Sequence, residues 1–392
     1  MALGLLFLGC SGNRDQAEKQ ATPQKIKKKA QSPRKNKLTR KVLQKSLALG
    51  RKYLLFNQQF EGNFNYNGNF ITAQQSVEDG PVRQSGAFWG LSLIHQNEPT
   101  DETKQAVLKA YQFFHRNSRQ REQRRWVVYP GQKTGQTGLV ALVALGLIEY
   151  LRVEPNKQLQ EHLDSYLNLL VSMRRKDGRF HAQFDPVTEK PIGTPSPYFD
   201  GEALLALTKA ARYMKRADLQ PLAIESARAM NQAYFGSHLK DGSDRDDTKG
   251  FYQWGSMAFF ELSDAKWEKT EWCKEAVIDA AIWMIDTHKT LQRKRNTGYA
   301  YEGIVLAHEL CRRHKRSART KKLATVIDQG MSRLVSWQVG GPTPNAFLKK
   351  NKTDDPQWVG GIMNAADDPW LRIDVTQHQM HATILALRWV YK

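Results

Sequence analysis

Residues 137–151 read TGLVALVALGLIEYL, a run in which small and apolar residues leave almost no polar face. A helix that is apolar all round is buried on every side. Three further runs share this pattern: GAFWGLSLIHQ (86–96), GEALLALTKAARYM (201–214) and GIVLAHEL (303–310). The chain therefore contains several predicted helices that other helices must enclose.

Two kinds of predicted helix alternate along the chain. The amphipathic kind, with one charged face, is predicted at about 40–57, 101–116, 157–174, 216–234, 270–289 and 318–337. The kind that is apolar nearly all round is predicted at about 82–96, 135–151, 199–213, 252–263, 298–313 and 374–390. This six-fold alternation, with a period of roughly 50–60 residues, is an internal repeat. It predicts an all-α (α/α)6 toroid, in which an outer ring of amphipathic helices encloses an inner ring of buried ones.

The connections between these helices differ in length. Links from an inner helix to the next outer helix are short, whereas most links from an outer to an inner helix are long: 58–81, 117–134, 175–198, 235–251 and 338–373. Because every inner helix runs the same way, the long links should gather on one face. That face also receives six helix N-termini, whose dipoles and free N–H groups favour anions. We expect the functional site there, since long ordered loops usually carry function.

Several motifs occupy corresponding places in the repeat. GNF (62–64) follows the first predicted outer helix, and DGRF (177–180) follows the third. Inner helices one, three and six open with VRQSGAFWGL (82–91), PYFDGEALLAL (197–207) and RIDVTQHQMHA (372–382). Over about 40–392 the chain resembles the six-hairpin glycosidase and terpenoid-cyclase-like group of α/α toroids. The resemblance implies a site in the funnel where the inner helices begin, often with Asp or Glu from different hairpins.

Markers of two particular toroid enzymes are not recognisable. The DXDD acid motif of squalene cyclases is missing from the inner helices, and the similar DRDD (244–247) lies in a predicted loop. The zinc ligands of protein prenyltransferases are not recognisable either. The run 241–247 has some features of a calcium loop but lacks the bidentate Glu spacing of an EF-hand, so a solvated loop is the simpler interpretation. We expect no metal and no other cofactor.

Polar residues at the mouths of the inner helices are the candidates for chemistry. Glu202 and Glu302 each lie in an apolar run, where a carboxylate is costly unless it is paired or faces a wet cavity. Asp374, Gln377 and His378 are spaced i, i+3 and i+4, so they share one helix face. The predicted catalytic residues are Glu202, Glu302, Asp374 and His378. The predicted substrate-binding residues are Arg83, Gln84, Tyr198, Asp200, Trp254, Tyr301 and Gln377.

Structural roles would explain several of the same residues. Asp374 and Asp200 could each cap a helix N-terminus. His378 could be a core histidine with its hydrogen bonds satisfied. Glu202 and Glu302 could instead form structural ion pairs with Arg83.

The formal net charge of +20 favours anionic partners. Together with aromatic residues in the long loops, it points to an acidic polysaccharide or oligosaccharide as substrate. Two carboxylates across a cleft would give a hydrolase, whereas a Tyr or His that removes a proton beside a uronate would give a lyase or epimerase. A non-catalytic binding or scaffold lipoprotein and a terpenoid-cyclase-like enzyme are the alternatives. A polar wall favours sugar, an apolar aromatic wall favours a terpenoid, and a plugged funnel favours a scaffold. Nucleic acid is not expected, because the basic run lies mainly in a tail without interleaved aromatic residues.

The N-terminus predicts a lipid anchor. Residues 1–10 end in FLGC and resemble a lipoprotein signal segment with Cys10 as the lipidated residue, although no Lys or Arg precedes the short apolar run. Residues 11–37 read as a basic disordered spacer, and residues 38–392 as the toroid domain. These features predict a protein anchored in the cell envelope or periplasm, with a cytoplasmic location as the alternative. Cys273 and Cys311 lie in helical patterns and read as core residues.

Replacing Cys10 tests the anchor. If Cys10 is lipidated, Cys10→Ser should move the protein from the membrane fraction to the soluble fraction, because the acyl chains that hold it are lost. Immunoblotting of fractionated cells measures the distribution, with Cys273→Ser as the control. Unchanged partitioning, or an unprocessed N-terminus by mass spectrometry, would contradict the prediction.

Overall fold

Twelve long helices form two rings in the computed structural model, which describes residues 38–392. The outer helices are α1 (Arg40–Phe56), α3 (Asp101–Arg116), α5 (Lys157–Ser172), α7 (Leu219–Met230), α9 (Cys273–Asp286) and α11 (Ser317–Val335). The inner helices are α2 (Pro81–Asn97), α4 (Thr137–Leu151), α6 (Pro197–Tyr213), α8 (Asp246–Ala265), α10 (Gly298–Arg313) and α13 (Ile373–Trp389). A short helix, α12 (Ala346–Lys350), lies in the last long loop. The predicted (α/α)6 toroid is confirmed.

The inner helices contact one another in ring order. Each packs on the next along the chain, and α13 packs on both α10 and α2, which closes the ring. Every residue of α4 is buried, as its apolar sequence predicts. The outer helices bury one face only; α1, for example, packs on α13 and α2.

Short strands that the periodicity did not reveal organise the long loops. β1 (Asn67–Asn69) pairs with β2 (Gln74–Gln75) and with β8 (Trp370–Arg372), so the first long loop is tied to the last. A hairpin is formed by β3 (Ser118–Arg121) and β4 (Arg124–Val127). A third sheet is formed by β5 (Gly135–Gln136), β6 (Gln183–Phe184) and β7 (Pro191–Ile192). Each strand has only two to four residues, too few to show a clear alternation.

Some predicted boundaries shift. The fourth inner helix, α8, begins at Asp246 rather than near 252, and Thr248 in its first turn donates a hydrogen bond to Tyr234 O at 2.7 Å. The preceding outer helix, α7, ends at Met230 and continues as a π-helical turn over Asn231–Phe235. Cys273 and Cys311 are free and buried. The predicted lipidation at Cys10 and the spacer at 11–37 lie outside the described residues and stay predictions. No helix within residues 38–392 has both the length and the apolar composition needed to cross a membrane.

The GNF and DGRF motifs attach their loops to the inner helices in the same way. Phe64 N–H donates to Gln84 Oε1 at 2.8 Å, and Phe180 N–H donates to Asp200 Oδ1, also at 2.8 Å. Gln84 and Asp200 are each the fourth residue of their helices. In the last hairpin Ile362 N–H donates to Thr376 Oγ1 at 3.1 Å, and Thr376 is again the fourth residue of its helix.

Glycine is required two residues before each of these phenylalanines. Gly62 has φ +104° and Gly178 has φ +85°, a left-handed region that side chains rarely adopt. A Cβ at position 62 would lie 2.2 Å from Lys109 O, on the next outer helix. The loop therefore turns directly against that helix before it reaches the inner ring.

Replacing Gly62 tests this attachment. Gly62→Ala should lower the free energy of unfolding by about 2–4 kcal/mol, because a strained φ and a backbone clash add together. Gly131→Ala is the matched control, since Gly131 has φ +78° but nothing within 4 Å of its Cβ position. Urea unfolding followed by circular dichroism compares the two variants. Equal losses would show that the contact with Lys109 does not matter.

Candidate functional site

A cavity of about 880 Å³ opens at the end of the toroid where the inner helices begin. Its wall is formed by the first turns of α2, α6, α8, α10 and α13 and by residues between 288 and 298. Seven of the eleven candidate site residues in the described part of the chain line it: Arg83, Tyr198, Glu202, Trp254, Asp374, Gln377 and His378. The other four, Gln84, Asp200, Tyr301 and Glu302, do not.

Glu202 is a buried acid without a partner. It is the sixth residue of α6, its side chain reaches the cavity, and it makes no hydrogen bond or ion pair with a residue in 38–392. A Cβ at position 138 would lie 2.2 Å from Glu202 Oε2, so Gly138 in the first turn of α4 makes the space for this carboxyl group. Burial raises the pKa of Glu202 well above its ordinary value, which favours the protonated form of the acid.

His378 occupies the wall opposite α6, with Glu302 behind it. His378 is the sixth residue of α13, and α13 and α6 are three places apart in the ring of six. Its Nδ1 lies 3.4 Å from Glu302 Oε1 and 3.0 Å from Gln253 Nε2, and its side chain is 21% exposed. Although burial acts against charge, Glu302 and Asp374 outweigh it and raise the pKa of His378. His381 Nδ1 lies 3.1 Å from the same Glu302 oxygen. Glu302 therefore acts through imidazole rings and not directly on the cavity.

The carboxylate of Asp374 forms ion pairs with two arginines. Its carboxylate accepts two hydrogen bonds from Arg372, at 2.5 and 2.9 Å, and lies 3.3 Å from Arg83 Nε. Burial favours the neutral acid, but Arg372 together with His378 and Arg83 lowers the pKa of Asp374. These ion pairs favour the ionised carboxylate, and the catalytic role of Asp374 stays a prediction.

Three further predicted residues, Gln377, Trp254 and Tyr198, line the cavity. Gln377 is 1% exposed, and neither atom of its amide has a partner among the described residues. A Cβ at position 90 would lie 2.1 Å from Gln377 Cγ, so Gly90 of α2 accommodates the side chain. The ring of Trp254 lies 6.3 Å from that of His378, measured between centroids, and offers an aromatic face in the wall. Tyr198 stands at the rim and is 46% exposed.

Three predicted substrate-binding residues prove to be structural. Gln84 Nε2 donates to Phe64 O and to Asp79 Oδ1, both at 2.8 Å, so its amide is occupied by the first loop. Asp200 accepts from Phe180 N–H and, at 2.6 Å, from the Tyr234 hydroxyl. Tyr301 packs outward, since a Cβ on Gly330 of α11 would lie 1.5 Å from its hydroxyl oxygen. Their place near a helix mouth was correct, but their side chains point away from the cavity.

A cluster that was not predicted from the sequence lies in the wall between α8 and α10. The cavity is lined there by His288, Arg293 and Tyr299, and His288 forms a hydrogen bond with Asp244. His288 was assigned to an outer helix predicted to run to about 289, but α9 ends at Asp286 and the chain then turns inward. The signal that could have found it is the short, basic linker that follows, 289–295.

The wall carries a positive charge. Six cationic residues line it: Arg83, Lys249, Arg293, Lys294, Arg295 and Arg372. Asp374 neutralises part of this charge within the wall, and Asp244 pairs with Arg293 from behind it. Lys249, Lys294 and Arg295 have no ionic partner in residues 38–392.

Comparison with known proteins finds relatives by structure alone. No family model and no curated protein matches the sequence. Cellobiose 2-epimerase from Spirochaeta thermophila is similar with a TM-score of 0.62 and 14% identity, covering 89% of this chain and 96% of that one. A GH76 α-mannanase from Bacteroides thetaiotaomicron gives 0.60 and 9% over 89% and 95% of the two chains. An unsaturated glucuronyl hydrolase specific for heparin gives 0.59 and 11% over 88% and 97%. At these identities the similarity establishes the six-hairpin toroid fold.

Asp200 allows a test of loop attachment by pH. Burial raises the pKa of Asp200 to about 7, above its ordinary value of about 4, so the folded state binds more protons between these values. Wild-type stability should therefore fall as pH rises from about 4 to 7, by up to about 1.4 kcal/mol per pH unit. Asp200→Asn keeps an acceptor for Phe180 N–H but cannot ionise, so it should lose this contribution.

Urea unfolding at a series of pH values measures the difference between the two proteins. Asp218→Asn is the control, since Arg216 lowers the pKa of Asp218 and its contribution is constant over this interval. A wild type and an Asp200→Asn variant with the same pH slope would contradict the assignment.

Proposed function

We propose that this protein is a carbohydrate-active enzyme that transfers protons to and from an anionic saccharide held in the cavity. The observation that carries the proposal is the placement of Glu202 and His378. Each is the sixth residue of its helix, the two helices stand opposite each other in the ring, and both side chains reach the cavity. A substrate at the centre would lie between two groups whose pKa values are raised, as proton donors require.

A saccharide is favoured by the character of the wall. Gln377 offers an unpaired amide, Trp254 an aromatic face, and Tyr198 a hydroxyl group at the rim. The alternative terpenoid cyclase would need an apolar cavity that shields a carbocation, which six cations and an unpaired acid do not provide. A scaffold toroid would not need an open cavity with buried, unpartnered polar groups, since these lower stability. The structural neighbours, among them an epimerase, a mannanase and a glucuronyl hydrolase, agree with this substrate class.

An acidic saccharide is favoured by the charge in the wall. Lys249, Lys294 and Arg295 line one side of the cavity without ionic partners in the described chain. The unpaired cations would bind a carboxylate or sulfate group on the sugar.

Elimination or epimerisation fits the site better than two-carboxylate hydrolysis. Hydrolysis of that kind needs a second carboxylate free to act as base or nucleophile. Asp374 is held by Arg372 and Arg83, and Glu302 lies behind His378. One protonated acid beside histidines suits proton transfer at the carbon next to a uronate carboxylate.

Replacing the two central residues tests the proposal. Glu202→Gln and His378→Asn should each lower kcat by on the order of 10²-fold or more, because a proton donor is lost. Activity should also fall as pH rises through the raised pKa of Glu202, since the acid is then ionised. Uronate oligosaccharides and their neutral counterparts serve as substrates, and mass spectrometry with NMR separates hydrolysis, elimination and epimerisation.

Glu225→Gln is the matched control. Glu225 lies on the outer helix α7 with its side chain 63% exposed, and the substitution makes the same chemical change far from the cavity. Full activity of Glu202→Gln and His378→Asn on a sugar that the wild type converts would overturn the assignment.

A further inference from the structure

A second group of titratable side chains borders the cavity, separate from Glu202 and His378. His288 follows α9 and is 3% exposed; its Nδ1 lies 2.6 Å from Asp244 Oδ1, in the loop before α8. Its Nε2 lies 3.3 Å from the hydroxyl oxygen of Tyr299, in the first turn of α10. His288 and Tyr299 line the cavity, whereas Asp244 stands behind them. Three separate segments of the chain thus bring an acid, an imidazole and a phenol into one series of hydrogen bonds.

The imidazole of His288 is held in a fixed orientation. Trp283 stacks on it with ring centroids 5.6 Å apart and planes 20° from parallel. Trp283 Nε1 donates to Ser243 O at 3.1 Å, which fixes the loop that carries Asp244. Arg293 donates from Nε to His288 O at 2.8 Å and also pairs with Asp244. These contacts secure both ends of the Asp244–His288 bond.

This orientation determines where the protons are. We assign the Nδ1 hydrogen to the bond with Asp244, because that distance of 2.6 Å is shorter than the 3.0 Å between Nδ1 and Arg293 Nη2. The lone pair of the neutral ring is then on Nε2 and faces the Tyr299 hydroxyl. Burial lowers the pKa of His288 and outweighs Asp244, while Arg293 and Lys249 act in the same direction as burial. Burial raises the pKa of Tyr299 to about 12, so the phenol carries its proton.

The two histidines of the wall therefore differ in the direction in which their pKa values are shifted. The pKa of His378 is raised by Glu302, whereas the pKa of His288 is lowered by burial. When the pKa values of two groups in one site are shifted apart in this way, the group with the raised pKa is suited to donate a proton and the group with the lowered pKa to accept one. Glu202 and His378 are both donors, so the site described so far has no base.

We propose that Asp244, His288 and Tyr299 form a proton relay that supplies the base of this site. The relay rests on the proposed function. It follows the general pattern of a hydroxyl activated by a histidine that a carboxylate orients. Tyr299 is the catalytic residue, because it borders the substrate space, and His288 and Asp244 act through it.

Tyr299 Oη removes the hydrogen from the sugar carbon next to the carboxylate; that C–H bond breaks, and its electron pair is delocalised onto the carboxylate. The phenolic proton of Tyr299 passes to His288 Nε2, and Asp244 stabilises the resulting imidazolium. In an elimination, Glu202 then gives its proton to the leaving oxygen as the C–O bond breaks and a C=C bond forms. In an epimerisation, Glu202 gives its proton to the opposite face of the same carbon. Exchange with solvent restores His288 and Glu202.

Hydrogen exchange into the substrate tests the relay. A set of hexuronate disaccharides and trisaccharides is incubated with the full-length protein in D₂O, and deuterium at the carbon next to the carboxylate is followed by NMR. Tyr299→Phe and His288→Gln should each slow loss of the carbon-bound hydrogen by on the order of 10²-fold or more, with KM little changed. His314→Gln is the control, since His314 follows the last residue of α10, at the end of the toroid opposite the cavity. In Glu202→Gln, deuterium exchange should continue while product formation falls.

A second measurement needs no substrate. The ¹⁵N shifts of His288 should report a neutral ring with hydrogen on Nδ1 near pH 7, and Tyr299→Phe should move the Nε2 resonance. A charged ring, or hydrogen on Nε2, would overturn the relay even if the enzyme is active.

The outcomes separate the relay from the proposed function. Wild-type exchange rates in Tyr299→Phe, together with inactive Glu202→Gln, would overturn the relay and leave the acid assignment intact. No exchange and no product with any of the sugars would overturn the proposed function, and the catalytic role of Tyr299 with it.

Discussion

The whole molecule depends on the requirement that six apolar helices be buried on all sides. A helix such as α4, in which every residue is buried, has no face to present to solvent. A closed ring of such helices inside a second ring of amphipathic ones meets this requirement for all six at once. The ring then aligns six helix N-termini at one end, and the cavity occurs where their first turns no longer fill the axis. The site is thus a consequence of how the core closes.

Helix geometry also separates the polar residues that build the loops from those that face the cavity. Successive residues of an α-helix are rotated by about 100°, so the fourth and sixth residues point in roughly opposite directions. The fourth residues Gln84, Asp200 and Thr376 hold loop backbone, whereas the sixth residues Glu202 and His378 reach the cavity. A single turn of inner helix can therefore carry one polar group that holds a loop and one that faces the cavity.

This division explains what the sequence could predict. The alternation of two helix types is a local pattern, and it was sufficient for the fold and for most helix boundaries. Seven candidates at the helix mouths line the cavity. Gln84, Asp200 and Tyr301 do not, and the choice of these three did not consider their rotation about the helix axis. The pairing of Asp374 with Arg83 depends on contact between the first and last hairpins, which no local pattern encodes. His288 was missed because the end of α9 was placed about three residues too late.

Ring closure has a consequence for how the protein is made. The helix that completes the ring, α13, packs on α2 and α1, and β8 pairs with β1, although nearly the whole chain separates them. At a synthesis rate of about 5–20 residues per second, roughly 15–60 s pass between the appearance of α2 and that of α13. During that time the faces of α2 and α1 that α13 will cover stay open to water on the nascent chain. Newly made protein should therefore depend on chaperones for longer than a protein of the same size built from local contacts.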